Sequence, residues 1–350
     1  MTIAIAGRPI GPEHPPYVIA EMSCNHLGSL TRARELVHAA AESGADAIKL
    51  QTYTADTMTL PVSGPGFDIH GGLWDGRRLY ELYEEAHTPW EWHAELFDLA
   101  SKHGIACFSS PFDASAVALL AGLGAPAYKI ASFEVVDLPL IAAAASHGKP
   151  LVISTGMADL AEIADAVETA GKAGAGGIAL LHAISGYPTP PEQFNLATVA
   201  HLAQAFGFPV GISDHTLGIA VPVAAVALGA RLIEKHIILS RNDGGPDAAF
   251  SSEPKEIAEM VVACRQAASA VGAVTYKRAV AEQPNAVFRR SLYVTADMRA
   301  GEPFTPASVR SIRPALGLPP KHLPLVLTRR AARDLKRGEP LDWAALGPEA

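Results

Sequence analysis

Eight short apolar segments recur along the first two thirds of the chain, separated by polar stretches. They are short and partly β-branched, which is typical of strands buried on both faces of a parallel sheet. The segments are Tyr17–Ser23, Ala47–Gln51, Ile105–Phe112, Ala127–Ser132, Pro150–Gly156, Ile178–Ser185, Val210–Thr216 and Leu232–Leu239. The pattern therefore predicts eight parallel strands in chain order.

Amphipathic segments lie between most of these predicted strands. The first has Thr31 as a candidate N-cap and ends at Ser43-Gly44. Eight strands alternating with helices predict a (β/α)₈ TIM barrel. An open doubly wound sheet is the alternative, but no glycine-rich dinucleotide motif follows the first strand. The insertion Pro61–Trp92 is too long for a plain loop and is predicted to be a lid or a substrate-facing excursion.

The pattern of hydrophobic and polar residues changes from about Lys277. A strand-like segment, Phe288–Val294, is followed by two similar turn signals that begin at Ala300 and Lys336. We therefore predict a barrel domain over 1–274, a linker over 275–287 and a small, separate, β-rich domain over 288–350.

Composition and charge exclude several classes of function. The net charge is −8 and no dense Lys/Arg run occurs, so nucleic acid is not an expected partner. The longest apolar run, Gly218 to Ala230, contains Pro222 and falls short of the ~18–20 residues that a membrane span needs. The N-terminus lacks the pattern of a signal peptide. Three cysteines without CxxC spacing predict neither a zinc site nor a disulfide framework and indicate a cytoplasmic protein.

Polar side chains occupy the C-terminal ends of the predicted strands. These ends converge on one mouth of a barrel, where the active sites of such folds lie. Lysines and carboxylates are seldom buried without partners, so their presence in apolar strands predicts a functional mouth. The residues are Glu21, Lys49, Gln51, Lys129, Ser132, Ser154, Ser185, Ser213, His215, Glu234, Lys235 and His236.

Lys49 and Lys129 are cations within strands, with serines at neighbouring strand ends. This combination favours a small, multiply charged anion such as a phosphate or a carboxylate. Two alternatives remain: each lysine pairs with Glu21 or Glu234 as a purely structural group, or one of them forms a Schiff base.

His215 and His236 fall on adjacent predicted strands near the same end. Two imidazoles with open positions beside them suit a divalent transition metal that acts as a Lewis acid on a carbonyl oxygen. The alternative is a pair of hydrogen-bonded core histidines. No serine lies in a G-x-S-x-G elbow, which weighs against a hydrolase.

Seven motifs in the barrel region resemble those of the nonulosonic (sialic) acid synthase family. They are Ile19–His26, Ile48–Thr52, Phe108–Asp113, Tyr128–Ser132, Ile153–Met157, Ser213–Thr216 and Glu234–His236. The tail, with Arg289–Leu292 and Ser311–Pro314, resembles the family's antifreeze-like (SAF) domain. Within the family, Gln51–Met58, Gly72–Gly76 and Gly244–Ser251 look most like pseudaminic acid synthases.

The resemblance implies condensation of phosphoenolpyruvate with an open-chain 2,4-diacetamido-2,4,6-trideoxyhexose, giving pseudaminic acid and phosphate. It implies a divalent metal on His215 and His236, with manganese expected first and magnesium or cobalt as alternatives. It implies Glu21 as a general acid–base group. The residues implied to bind phosphoenolpyruvate are Lys49, Lys129, Ser132, Ser154, Ser185 and Ser213. Those implied to contact the sugar are Gln51, Glu134, Tyr187, Asp247 and Arg313, the last from the neighbouring chain of a domain-swapped homodimer.

Two departures from the family pattern put fine geometry in question. Ala183 and Ile184 stand where relatives usually carry Cys-Thr, and Ala315 stands where a glycine is common. Three other hypotheses for the function remain. The protein is an N-acetylneuraminate or legionaminate synthase, a synthase for a phosphorylated or shorter sugar, or a non-catalytic carbohydrate-binding protein. A phosphorylated sugar would need further cations, and the insertion offers only Arg77-Arg78.

Overall fold

Eight parallel strands close into a barrel in the computed structural model, which describes residues 1–350. The chain divides into two compact units, Met1–Gly272 and Ala273–Ala350. The strands are β1 (Ile3–Ile5), β2 (Arg8–Ile10), β3 (Tyr17–Glu21), β4 (Ala47–Thr52), β5 (Ala106–Pro111), β6 (Tyr128–Ile130), β7 (Pro150–Ser154), β8 (Gly177–Ala183), β9 (Val210–Asp214), β10 (Leu232–His236), β11 (Ser291–Val294), β12 (Val309–Ile312), β13 (Arg329–Ala331) and β14 (Leu346–Glu349). The α-helices are α1 (Leu30–Glu42), α2 (Ala55–Met58), α3 (Leu79–Ala86), α4 (His93–Lys102), α5 (Ala114–Gly122), α6 (Leu138–Ala145), α7 (Leu160–Lys172), α8 (Ala197–Phe206), α9 (Ala220–Ala227), α10 (Pro254–Val271) and α11 (Leu323–Val326).

The barrel runs from β3 to β10 in chain order, and β10 pairs back onto β3. This confirms the predicted (β/α)₈ fold, with all eight predicted strands present. Most observed strands end one to three residues before the predicted ends. Ser132, Ser185 and His215 therefore lie just beyond the strands, whereas Glu21, Ser154 and His236 are the last residues of theirs. The hairpin of β1 and β2 was not predicted.

Alternation along the strands separates an apolar end of the barrel from a polar one. Inward positions near the strand starts include Tyr17, Phe108 and Leu232, and they pack against Ile3, Ile5 and Ile10 of the hairpin. Residues two to four positions further along the same inward faces are charged or polar. Because successive side chains of a strand point to opposite faces, this register brings Lys49, Lys129 and Glu234 into the barrel interior.

Helices α1 and α4 to α10 cover the outside of the barrel with apolar side chains. Helix α1 begins two residues earlier than predicted: Ser29 is the N-cap, and its hydroxyl accepts a hydrogen bond from the Arg32 amide at 3.3 Å. The expectation that Thr31 caps this helix was wrong, because both serine and threonine fit the position by type and only the chain path selects between them.

The C-terminal unit holds two antiparallel strand pairs, β11–β12 and β13–β14. Its own core is built from residues such as Leu292, Phe304, Val326 and Leu341. The first strand begins at Ser291, since residues up to Phe288 form a 3₁₀ turn. None of the helices in the structure combines the length and the apolar character that crossing a bilayer requires.

Candidate active site

One cavity of about 440 Å³ opens at the C-terminal ends of the barrel strands. Its floor is charged, one wall carries two imidazoles, and its outer part is apolar. The predicted site residues among those lining it are Glu21, Lys49, Gln51, Lys129, Ser132, Glu134, Ser154, Tyr187, Ser213, His215, His236 and Asp247. The structure therefore brings these twelve residues together around one cavity. Ser185 and Arg313 are not among the lining residues.

The floor is a buried cluster of two lysines and two glutamates. Lys49 pairs with Glu21, and its Nζ also lies 4.0 Å from Glu234 Oε1. The same Glu234 oxygen lies 3.4 Å from Lys129 Nζ and accepts a hydrogen bond from Ser213 Oγ at 3.0 Å. Both lysines thus pair with carboxylates, as expected if their role were purely structural. They also face the cavity, so pairing and anion binding are compatible roles.

The pKa values of the two floor carboxylates are shifted in opposite directions, although burial alone would raise both. For Glu21, burial dominates and raises the pKa above its usual range, although Lys49 opposes this. For Glu234, burial is outweighed by Lys129 and Lys49, which hold its pKa below the usual range. Two neighbouring carboxylates tuned apart in this way are the pattern of an acid–base group beside a permanently ionised one.

The pKa values of the two lysine amines are also shifted in opposite directions. Burial would lower the pKa of Lys49, but Glu21 and Glu234 raise it above its ordinary value. For Lys129, burial prevails and the pKa is lowered. Lys49 is therefore the firmly charged cation of the floor.

Serine hydroxyls line the side of the floor formed by β6 to β8. Ser154 is 1% exposed, and neither its hydroxyl nor that of Ser185 has a hydrogen-bond partner within the protein. Ser132 Oγ accepts from the Gly156 amide at 3.1 Å, and a Cβ at Gly156 would lie 2.7 Å from the hydroxyls of both Ser132 and Ser185. A glycine is therefore needed here. Free hydroxyls in a buried polar cleft are suited to an anionic ligand.

His215 and His236 face each other on one wall, with their ring centroids 5.4 Å apart. His215 Nδ1 donates to the Ile184 carbonyl at 3.1 Å, so Nε2 carries the lone pair. Burial lowers the pKa of His215 to about 3, which keeps the ring neutral and able to bind a metal. His236 Nδ1 lies 3.4 Å from Asp247 Oδ2, without hydrogen-bond geometry. No group of three or more His, Cys, Asp or Glu side chains is placed to hold a metal, so the pair would supply two ligands to an open site.

Aromatic side chains surround the imidazoles. The Tyr187 ring lies 4.5 Å from that of His215, and Phe250 lies 4.9 Å from His236. From the insertion, Trp74 Nε1 donates to the Pro246 carbonyl at 3.0 Å, and the Trp74 ring lies 5.6 Å from Tyr187. The insertion therefore covers the cavity.

Helix α3 of the insertion turns an apolar face to the cavity. Leu79, Leu82, Tyr83 and Ala86 recur at three- and four-residue spacing and line it. Arg77 and Arg78 pair with Glu85 and Glu81 and are not among the lining residues. The cations that a second phosphate would need are thus already neutralised elsewhere.

Glu134 lines the cavity beside the serines, and its Oε2 has no hydrogen-bond partner within the protein. Burial raises its pKa to about 7. In the unfolded chain the pKa of a glutamate is about 4.3. Because the folded protein resists ionisation of Glu134 until about pH 7, its stability falls as the pH rises from about 4 to 7.

We expect the free energy of unfolding of Glu134→Gln at pH 8 to exceed that of the wild type by roughly 2–3 kcal/mol, because the substitution removes the cost of burying the charge. The difference should shrink as pH falls and vanish below about pH 4.5. Urea unfolding of the ligand-free protein between pH 4.5 and 8 measures this. Glu35→Gln, at an exposed position of α1, is the control and should change nothing. An equal gain at every pH would contradict the assignment.

The sequence departures leave the groups around the imidazoles in place. Position 184 acts through its backbone, since the Ile184 carbonyl accepts from His215 Nδ1 and from Thr189 Oγ1. Ala315 does not adopt positive φ, so the loop after β12 is formed without strain at that residue. Arg313 on this loop is exposed.

The lining also includes Ser23, Ser110 and Phe250, which the sequence did not single out, and Glu234, which it placed at the mouth only as a possible partner of the lysines. Ser110 accepts a hydrogen bond from Lys49 Nζ at 3.1 Å. Ser110 and Glu234 share the inward register of the predicted residues, which was a usable signal. Ser23 lies on a turn and Phe250 at the end of a 3₁₀ helix, where no strand register applies.

Comparison with known proteins gives a consistent result for both units. The model of the NeuB family matches residues 36–276, and that of the SAF domain matches residues 289–347. The first match covers more than half of the chain, and the second falls within the C-terminal unit.

Several relatives that match over most of the chain are named as sugar acid synthases. The chain is 44% identical over 328 residues to a pseudaminic acid synthase from Helicobacter pylori, covering 93% of this chain and 96% of the relative. It is 44% identical over 325 residues to a pseudaminic acid synthase from Campylobacter jejuni, covering 93% and 95%. A solved structure of a sialic acid synthetase from Leptospira borgpetersenii in complex with citrate is 31% identical, with a TM-score of 0.73 over 81% of this chain and 95% of that one.

Proposed function

The chain belongs to the NeuB family, and we propose that it is a synthase that condenses phosphoenolpyruvate with an open-chain 2,4-diacetamido-2,4,6-trideoxyhexose to give pseudaminic acid and phosphate. The names of its relatives support the reaction class and the sugar acid. The observation that carries the proposal is structural: two facing imidazoles, two lysines and the unpartnered hydroxyl of Ser154 line the same cavity. An electrophilic aldehyde and an anionic enol ester would thus meet in one place.

The reaction joins C3 of phosphoenolpyruvate to the aldehyde carbon of the sugar. The aldehyde oxygen takes up a proton and becomes a hydroxyl group. Positive charge develops at C2 and is captured by water. The tetrahedral centre then releases phosphate with the bridging oxygen, which leaves a nine-carbon 2-keto acid. The cavity must therefore hold an anion, polarise a carbonyl and move protons.

Lys49, Lys129 and the serines Ser132, Ser154, Ser185 and Ser213 are proposed to hold the phosphate and carboxylate of phosphoenolpyruvate. Lys49 and Ser154 are nearly fully buried, which strengthens their interaction with a charged ligand. Glu234 stays ionised and keeps the lysine amines in place. The anion is then oriented before the bond forms.

Glu21 is proposed as the general acid–base group. Its raised pKa favours carriage of a proton, and Lys49 at its side favours its release. It handles the proton of the attacking water or that of the aldehyde oxygen. Glu234, its counterpart on β10, is held ionised and is unsuited to this exchange.

A divalent metal, manganese first, is proposed to bind Nε2 of His215 and a nitrogen of His236. The neutral ring of His215 and the facing ring of His236 fit such an ion as two of its ligands. When bound, the ion would act as a Lewis acid on the aldehyde oxygen. The three cysteines are free and buried, as suits a reducing compartment, and we place the reaction in the cytoplasm.

The sugar is proposed to lie between the imidazole wall and the lid, in contact with Gln51, Glu134, Tyr187 and Asp247. The apolar face of α3 favours the methyl groups of acetamido and deoxy positions over a phosphate. The pairing of Arg77 and Arg78 with glutamates points the same way.

The enzyme is proposed to act as a domain-swapped homodimer in which Arg313 reaches the sugar bound by the partner subunit. Exposed apolar side chains on the loops after β6, β7 and β9 support an additional protein contact at the mouth. They are Phe133, Val136, Met157, Leu160 and Leu217.

Mixing two inactive variants tests this arrangement. We expect Arg313→Ala and His236→Ala subunits, co-refolded in equal amounts, to recover about a quarter of wild-type activity, because half the dimers are mixed and each has one complete site. Light scattering should give twice the 36.7 kDa of one chain. If Arg313 serves its own barrel, the mixture stays as inactive as its components.

Phosphate release tests the function itself. Purified protein with manganese and phosphoenolpyruvate should release phosphate only when the diacetamido trideoxy sugar is added. Preference for N-acetylmannosamine or for the legionaminate precursor would move the assignment to those synthases. Absence of release with every sugar, alongside an active control enzyme, would refute a synthase and leave a carbohydrate-binding protein.

A further inference from the structure

Ser23 follows β3 in a backbone conformation that serine rarely adopts. Its φ is +45°, in the left-handed region that favours glycine. The residue is 4% exposed and lines the cavity. A strained residue at a functional cleft suggests that the surrounding structure uses its side chain.

Every polar group of Ser23 outside its carbonyl contacts a residue of the cavity. Its amide donates to Glu21 Oε1 at 2.9 Å. Its hydroxyl donates to Asp247 Oδ2 at 2.6 Å and accepts from Gln51 Nε2 at 3.1 Å. Ser23 thereby joins the ends of two strands to the loop after β10.

We propose that Ser23 is a positioning residue for sugar recognition, whose hydroxyl fixes the side chains of Gln51 and Asp247 relative to each other. The proposal rests on the proposed function, in which these two residues contact the sugar. The hydrogen bond to Ser23 engages the amide nitrogen of Gln51 and leaves its amide oxygen for a ligand. It also holds Asp247 beside His236, 3.4 Å from its Nδ1.

The left-handed backbone conformation at position 23 favours glycine, yet the chain carries serine there. A glycine would adopt this conformation without strain, but it would leave Gln51 and the buried Asp247 carboxylate without their shared partner. The hydroxyl is therefore the part of the residue that the site needs. Lys49, Lys129 and Ser154 make no contact with it, so binding of phosphoenolpyruvate should be independent of Ser23.

Two substitutions separate the hydroxyl from the backbone strain. Ser23→Ala removes the hydroxyl and keeps the strain, whereas Ser23→Gly removes both. We expect both variants to raise the KM for the sugar about tenfold while the KM for phosphoenolpyruvate changes less than twofold. Ser23→Gly should be at least as stable as the wild type in thermal unfolding. Calorimetry with the alditol of the sugar, which cannot react, should show the same loss of affinity.

Ser109→Ala is the matched control, because this serine is fully buried and its hydroxyl lies 2.6 Å from that of Thr52, outside the cavity lining. It should leave both KM values unchanged. A wild-type KM for the sugar in Ser23→Gly would overturn the proposal and attribute any defect of Ser23→Ala to strain. An equal rise in both KM values would overturn it in favour of a general distortion. Failure of the wild type to use any sugar would instead refute the proposed function.

Discussion

Removing either imidazole of the facing pair should reduce turnover about a thousandfold or more. His215→Ala and His236→Ala each delete one of two ligands proposed for the metal, whose Lewis acidity supplies several kcal/mol of transition-state stabilisation, at about 1.4 kcal/mol per factor of ten. Steady-state phosphate release measures the loss. Titration with manganese, followed by electron paramagnetic resonance, should show that both variants lose the ion.

The fold should survive these substitutions, since both side chains face an open cavity rather than a packed core. His201→Ala is the control, because this histidine is exposed on α8. It should behave as the wild type in both assays. Wild-type turnover in either cavity variant would show that the imidazoles are structural and that the aldehyde is activated elsewhere.

Breaking the ion pair on the outer face of the barrel should strongly destabilise the protein. Lys235 and Asp214 are each 1% exposed, and Lys235 Nζ donates to Asp214 Oδ2 and to the Thr216 carbonyl, both at 2.6 Å. Lys235→Met leaves the buried Asp214 charge unpaired. The expected cost is about 3–5 kcal/mol. In thermal unfolding this corresponds to a fall of roughly 10 °C for a domain of this size.

An exposed pair of similar geometry provides the comparison. Lys172 lies 2.5 Å from Glu168 on α7 with its side chain 74% exposed, so Lys172→Met should change stability by less than about 1 kcal/mol. Adding Asp214→Leu to Lys235→Met should recover much of the loss, because no buried charge then remains. An unchanged melting temperature for Lys235→Met alone would contradict the role given to this pair.

The barrel was predictable because its strands are apolar on both faces and follow one another at regular spacing. The same regularity placed Glu21, Lys49 and His236 at one mouth, since the C-terminal ends of parallel strands converge. Strand register then separates residues that are adjacent in sequence, because successive side chains point to opposite faces of the strand. Glu234 points into the cavity, whereas Lys235, one residue later, points outward to Asp214.

Other features depend on contacts that no local pattern encodes. The hairpin of β1 and β2 is too short for periodicity to reveal, and it is defined by packing against the barrel interior. Ser23 acquires its role from three partners, of which Asp247 lies far along the chain. The choice of Ser29 over Thr31 as the α1 cap likewise follows from the chain path. Resemblance to a family supplied residues such as Tyr187, whose position on a loop gives no signal of its own.

A crystal structure with manganese and phosphoenolpyruvate tests the central claim most directly. Anomalous scattering should place the ion between His215 and His236, and the phosphate of the ester should lie against Lys49, Lys129 and Ser154, with C3 turned toward the ion. Imidazoles pointing away from the ion, or the ester bound outside this cavity, would contradict the account.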